Sequence, residues 1–161
     1  HPISKTTLKM PGIIVSDTSC LILLNKIGKV HLLKSLFGKI TITKVIADEF
    51  DETLPDFIVI KNPVNTEYQR ILESTLDRGE ASAFALCFEH PDSLLIVDDS
   101  KARKEAGRLH IKFTGTLGIL LLAKEKGYLN SIREILDKIS TINFWLSKKL
   151  VNEILEKAGE N

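Results

Sequence analysis

The stretch Ile13-Ile14-Val15-Ser16-Asp17-Thr18-Ser19-Cys20 joins a β-branched run to an acid and two neighbouring hydroxyls. The run predicts a buried strand, and the polar turn after it predicts a helix N-cap. Cys20 to Lys26 is apolar on nearly all sides, so that helix is buried too. The same order of events recurs later in the chain. Leu94-Leu95-Ile96-Val97 is continuously apolar, as a strand covered on both faces must be, and Asp98-Asp99-Ser100 starts the helix after it. Working outward, Lys39 to Ile42, Phe57 to Ile60 and Ile111 to Phe113 predict three more strands. Apolar residues at helical spacing fall in Val30 to Phe37, Val45 to Phe50, Val64 to Leu72, Ala81 to Phe88 and Leu117 to Lys126. Thr43 caps the second of these stripes. Gly28, Gly38 and Gly127 read as helix stops. Two amphipathic helices close the chain, on Ile132, Ile135, Leu136 and Ile139 and on Leu150, Val151, Ile154, Leu155 and Ala158. Strands alternating with helices imply an α/β fold: a parallel sheet with helices on both faces.

Length and composition agree. A chain of 161 residues fits one domain and buries about 70% of its unfolded surface on folding. With 43% hydrophobic and 27% charged residues it is no disordered tail, collagen or disulfide scaffold. Twenty-two basic against 21 acidic residues leave a net charge of +1, so polyanion binding needs a local patch. Cys20 and Cys87 lie in apolar stretches and predict buried thiols in a reduced, cytoplasmic protein. No apolar run approaches a membrane span, and no secretory signal is recognisable. Residues 1–12 read as a polar N-terminal extension or an expression remnant. His1, His31, His90 and His110 share no ligand spacing and read as surface or terminal residues.

In sheets of this kind ligands sit beyond the carboxyl ends of the strands, where the strand order switches. The first strand ends in Asp17 and the fourth in Asp98-Asp99. Glu49 and Glu80 are expected in first turns of helices at the same edge. Each acid alone has a plain role: Asp17 as an N-cap, Glu80 in a capping box with Asp77, Asp98 or Asp99 as the next cap, Glu49 as a surface acid beside Asp48. Together they point to chemistry. Converging carboxylates repel one another unless a cation neutralises them, and Mg²⁺ or Mn²⁺ suits hard oxygen ligands. Two such ions clamp the attacking and leaving oxygens of a phosphodiester during in-line hydrolysis. No Gly-rich phosphate loop accompanies the acids, which speaks against a nucleotide cofactor.

At these residues the chain resembles the PIN-domain family. Ile14 to Ile22 is similar to the family's opening, Ile46-Ala47-Asp48-Glu49-Phe50 to its second acidic motif, and Leu76 to Ala81 and Leu95 to Arg103 to the later ones. Phe113-Thr114-Gly115-Thr116-Leu117-Gly118 completes the series. The resemblance runs from Ile13 to Tyr128, and the last two helices are similar to the tail of a prokaryotic subfamily near the VapC toxins. It implies a three-layer α/β/α sandwich with strand order 3-2-1-4-5, a nuclease domain over residues 13–128, and a helical extension over residues 129–161 packed on the same domain. It also implies a divalent-metal-dependent endoribonuclease with Mg²⁺ or Mn²⁺. The catalytic acids carried over are Asp17, Glu49, Glu80 and Asp99 or Asp98, of which Asp17, Glu80 and Asp99 or Asp98 hold metal. Ser19 and Thr116 take supporting places. The third acid is Glu where many relatives carry Asp, so its reach differs. A toxin role implies a small antitoxin partner and a homodimer.

Lys101, Lys104, Arg108 and Lys112 fall at helical spacing after the fourth strand, opposite Ala102, Ala106 and Leu109. They form either an ordinary solvated face or a ridge that tracks an RNA backbone. Arg103 lies between the faces and is placed to pair with an acid. Aromatic residues, at 6%, offer no stacking ladder for bases. The alternative to a ribonuclease is a catalytically weak PIN-fold protein acting through a protein partner. A phospho-receiver fold lacks its later strand and acid, and a haloacid-dehalogenase motif lacks the second Asp after Asp17.

Overall fold

Five parallel strands form the centre of the chain in a computed structural model that describes residues 10–142 and 148–160. His1 and residues 1–9 of the N-terminal extension lie outside the described residues. The strands are β1 (Ile13–Ser16), β2 (Ile40–Ile42), β3 (Ile58–Ile60), β4 (Ser93–Ile96) and β5 (Phe113–Thr114). The helices are α1 (Thr18–Lys26), α2 (His31–Phe37), α3 (Lys44–Phe50), α4 (Thr66–Leu72), α5 (Arg78–Glu89), α6 (Ser100–Arg108), α7 (Thr116–Glu125), α8 (Ile132–Ser140) and α9 (Lys148–Lys157).

The sheet order is β3-β2-β1-β4-β5, the expected 3-2-1-4-5, in a three-layer α/β/α sandwich. Val15 pairs with Thr41 on one side and with Leu95 on the other, so β1 is the strand from which the order departs in both directions. Val15, Ile40, Ile42, Leu95 and Ile96 are fully buried, which only a sheet covered on both faces permits. On the helical side, α3 packs on α1 and α5, and α4 on α5, while α2, α8 and α9 pack on α7. Gly28 and Gly38 end α1 and α2 with φ of 70° and 78°, a region closed to most side chains. Cys20 and Cys87 are buried and free. Among the described residues no helix is long and apolar enough to cross a membrane.

Two local expectations need correction. Glu49 lies in the last turn of α3, not the first, because Thr43 already caps that helix six residues earlier. β5 begins at Phe113 rather than Ile111, because the Ile111 N–H closes back on Ala106 as α6 unwinds through His110. The helical spacing over Val64 to Leu72 corresponds to α4, which buries Leu72 and leaves Tyr68 and Ile71 exposed, with the Tyr68 ring 5.6 Å from that of Phe88, and Val64 precedes the helix.

One carboxylate fastens the C-terminal helices. Glu160 accepts from Lys124 Nζ (2.8 Å), Ser131 Oγ (2.9 Å), Ile132 N–H (2.7 Å) and Arg133 N–H (3.1 Å). An anion at the N-terminus of α8 also meets the positive end of the helix dipole. Partial burial pushes this carboxyl up, but the four donors together outweigh it and hold it down at about 2. Its folded value lies below its unfolded one, so its stabilisation is present above the normal Glu range and disappears as pH falls towards 2. We predict that Glu160→Ala lowers the thermal midpoint at pH 7 by roughly 3–6 °C, equivalent to about 1–2 kcal/mol, with a difference that shrinks in acid. Thermal unfolding across a pH series checks this.

Candidate active site

The acids collect at the carboxyl edge of the sheet, around the crevice between β1 and β4. Asp17 follows β1 directly, and its N–H bonds the Ile96 carbonyl (2.9 Å), which fixes the two strand ends side by side. Its carboxylate is held by backbone amides. Cys20 N–H donates to Oδ1 (2.9 Å), capping α1, and Asp98 N–H donates to Oδ2 (3.4 Å). The N-cap role and the place in the crevice therefore coexist. Asp17 is buried, Asp98 half-buried and Asp99 exposed.

The two acids after β4 turn different ways. Asp98 is held by Thr116, whose N–H donates to Oδ1 (2.7 Å) and whose hydroxyl donates to Oδ2 (2.5 Å). Thr116 itself is buried at the start of α7. Asp99 caps α6 by accepting from Ala102 N–H (2.9 Å). Asp98 is the acid whose charge acts on Asp17, and Asp99 acts on Glu80.

Glu80 opens α5 in a capping box: Glu80 N–H donates to Asp77 Oδ1 (2.8 Å) and Asp77 N–H to Glu80 Oε1 (3.4 Å). Glu49 reaches the same region from α3. Its Oε1 accepts from Thr18 Oγ1 (2.5 Å) and lies against Gly79, where a Cβ would sit 2.3 Å from it. Thr18, Gly79 and Gly115 are contributors that sequence reasoning missed. Gly115 is the counterpart of Gly79, since a Cβ there would sit 2.7 Å from Asp98 Oδ1. Ser19, the hydroxyl expected beside the first acid, is exposed on α1, and it is Thr18 that touches a carboxylate. A buried hydroxyl pair, Thr43 and Ser82 (2.7 Å), ties α3 to α5 beneath this edge.

Among the described residues none of Asp17, Glu49, Glu80, Asp98 and Asp99 forms an ion pair with Lys, Arg or His. The electrostatic result is strong. Burial raises the Asp17 carboxyl to about 7, with the Asp98 charge adding to it and Glu80 contributing less. Burial also raises Glu80 to about 7, helped by Asp77, Asp99 and Glu49. Burial first, then the Asp98 and Asp17 charges, pushes the Cys20 thiol well up, so it stays protonated beneath the cleft.

The donor set consists of hard oxygens in excess negative charge. Among the described residues no three His, Cys, Asp or Glu side chains form a ready-made metal cage. Mg²⁺ does not require one, since it is usually held by one or two carboxylates and keeps several waters. The chemistry of the donor set fits such an ion, and the acids that stand directly side by side are Asp17 and Asp98, at the ends of β1 and β4.

The basic residues divide. Lys101, Lys104 and Lys112 are exposed, while the Arg108 guanidinium is engaged by Glu105 through Nε (3.0 Å) and a closer NH2 contact. Arg103 stacks over the Phe113 ring (5.3 Å to its centroid) instead of pairing with an acid.

A family model described as a PIN domain matches residues 13–160. No curated protein matches the chain. PIN domains are generally nucleases and generally use divalent metals.

Two outcomes test this geometry. Gly79→Ala displaces the Glu49 carboxylate, the flexible end of a side chain, so it should remove Glu49 from the cleft while leaving the thermal midpoint within about 2 °C of wild type. Chemical-shift mapping of the Thr18 and Glu49 amides reads the displacement. The second outcome concerns pH. Without metal, the folded state holds the Asp17 proton up to about 7, whereas the unfolded chain loses it in the usual carboxylate range. The folded state binds more protons in between, so stability falls as pH rises through that window. Asp17→Asn keeps an N-cap oxygen and removes the charge. The metal-free variant should be the more stable at pH 8, and the two should converge towards pH 4 in denaturant titrations.

Proposed function

This chain belongs to the PIN-domain family, and on that premise we propose that it is a divalent-metal-dependent endoribonuclease and the toxin of a toxin–antitoxin pair. One observation carries the reading: carboxylates from four separate elements come to the switch in strand order with no ion-paired Lys, Arg or His among the described residues, and two of them are driven to about 7. Folding has left a deficit of positive charge where a phosphodiester would react.

On this reading Mg²⁺ or Mn²⁺ bound there supplies the missing charge and makes a water more acidic. Asp17, Asp98, Asp99 and Glu80 hold the ion. The backbone amides of Cys20 and Asp98 aim Asp17, and Thr116 aims Asp98. Glu49 lines the opposite wall, oriented by Thr18. Ser19, on the exposed first turn of α1, flanks the entrance. Lys101 and Lys104 are exposed on α6 and attract the RNA backbone from one side, with Lys112 beyond, while Arg108 contributes less because Glu105 engages it. The catalytic unit is residues 13–128, with residues 129–161 as a helical extension of it. The partners are RNA, a small antitoxin and a second copy of the chain, in the cytoplasm.

Incubation with single-stranded RNA tests this directly. Cleavage should appear with Mn²⁺ or Mg²⁺, vanish with EDTA, and fall at least about 100-fold in Asp17→Asn. Undiminished cleavage by Asp17→Asn, or cleavage indifferent to EDTA, would overturn the assignment. Lys101→Ala and Lys104→Ala should each weaken RNA binding evenly across sequences and make its salt dependence shallower by about one ion.

A further inference from the structure

A second cavity adjoins the carboxylate cleft. It has a volume of about 540 Å³, within the roughly 300–1,000 Å³ typical of small-ligand pockets, and lies between α3, α4 and the first turn of α5. Glu49 lines this cavity and also lies against Gly79 at the edge of the cleft.

The lining suits a neutral heterocycle better than a phosphate. Lys44 and Arg78 bring two positive charges, and Asp48 and Glu49 bring two negative ones. Lys44 Nζ closes on Asp48 in an i,i+4 pair, which spends that cation. Val45 and Pro63 provide apolar wall, as the flat face of a base requires, and the amides of Asn62 and Gln69 provide polar contacts for its edge.

The cavity offers both donors and acceptors. Asn62 Oδ1 accepts from Lys44 N–H (2.9 Å) and its NH2 remains to donate, while the carboxylates of Asp48 and Glu49 can accept from the N–H groups of a base edge. Arg78 is exposed, and among the described residues it has no ion-pair partner. Its planar fork of N–H groups is therefore unspent. Among the bases, guanine presents two adjacent acceptors, O6 and N7, which an arginine fork meets bidentately.

We propose that this cavity receives the guanine base of an unpaired ribonucleotide lying next to the scissile phosphate, with Arg78 as the specificity-determining residue. The placement next to a scissile phosphate rests on the ribonuclease reading, whereas the base preference of the cavity does not.

The test is a binding selection on the full chain in EDTA, so that cleavage plays no part. A randomised single-stranded RNA hexamer pool is equilibrated with wild type, Arg78→Lys and Arg78→Gln at one fixed salt concentration, and the bound fraction is sequenced. Wild type should enrich guanine about tenfold at one position. Arg78→Lys keeps the charge and loses the fork, so total affinity should stay within about twofold while the guanine enrichment disappears. Arg78→Gln should lose the enrichment and bind more weakly. Arg78 is exposed, so both variants should unfold at the wild-type midpoint, which a thermal melt confirms.

No binding of the pool, no base preference in wild type, or guanine enrichment that survives in Arg78→Lys overturns the proposal. Metal-dependent cleavage measured separately keeps the two ideas apart. Cleavage without guanine selection removes the pocket alone, and guanine selection without cleavage removes the ribonuclease and leaves the pocket.

Discussion

Like charge crowded into a poorly hydrated crevice is the constraint to which the rest of this structure answers. Asp17 is buried and faces Asp98, with Glu80 near enough to be felt. Among the described residues no cation is ion-paired with them. The protein supplies dipoles instead: the amides of Cys20, Asp98 and Thr116 and the hydroxyls of Thr18 and Thr116. Such donors fix direction without cancelling charge. The carboxylates are thus aimed but not paired, and burial with mutual repulsion raises Asp17 and Glu80 to about 7, so that their ionised forms cost the fold stability.

The parallel sheet makes this arrangement possible. β1 has neighbours on both sides, so the crevice beyond its end is walled by the turns that leave β1 and β4. Asp17 and Asp98 come from those turns, while Glu49 and Glu80 arrive on helices. Two glycines let the helices and turns approach. Gly79 leaves room for the Glu49 carboxylate and Gly115 for that of Asp98. Their value lies in the absent Cβ, since the close neighbours in both cases are acids.

Much of this was legible in the residues. Continuous apolar runs at Ile13 to Val15 and Leu94 to Val97, each followed by acids, are enough to predict buried parallel strands with their acids at one edge, whereas their being neighbours was implied only by the resemblance to PIN domains. The caps at Asp17, Thr43 and Asp77 follow from local chemistry, which is short-range and therefore readable. What was not legible depends on distance in sequence. The contact of Thr18 with Glu49 spans 31 residues, and Gly79 reveals its purpose only when Glu49 is seen against it. Glu49 was placed a turn too early although Thr43 already marked where α3 begins. The exposure of Tyr68 and Ile71 was not legible, since period reports a helix face but not whether anything covers it.

The helix α7 touches both halves of the molecule. Its first residue, Thr116, grips Asp98 in the crevice, and Lys124 in its last turn is pinned by Glu160 near the end of the described chain. A ten-residue helix is about 15 Å long and resists bending, so it behaves as a strut. Glu160 is thereby braced, through α7, against the bottom of the carboxylate crevice. Proteolytic trimming that removes Glu160 would slacken the strut at one end, and the aspartate at the other end would lose part of its footing without being touched.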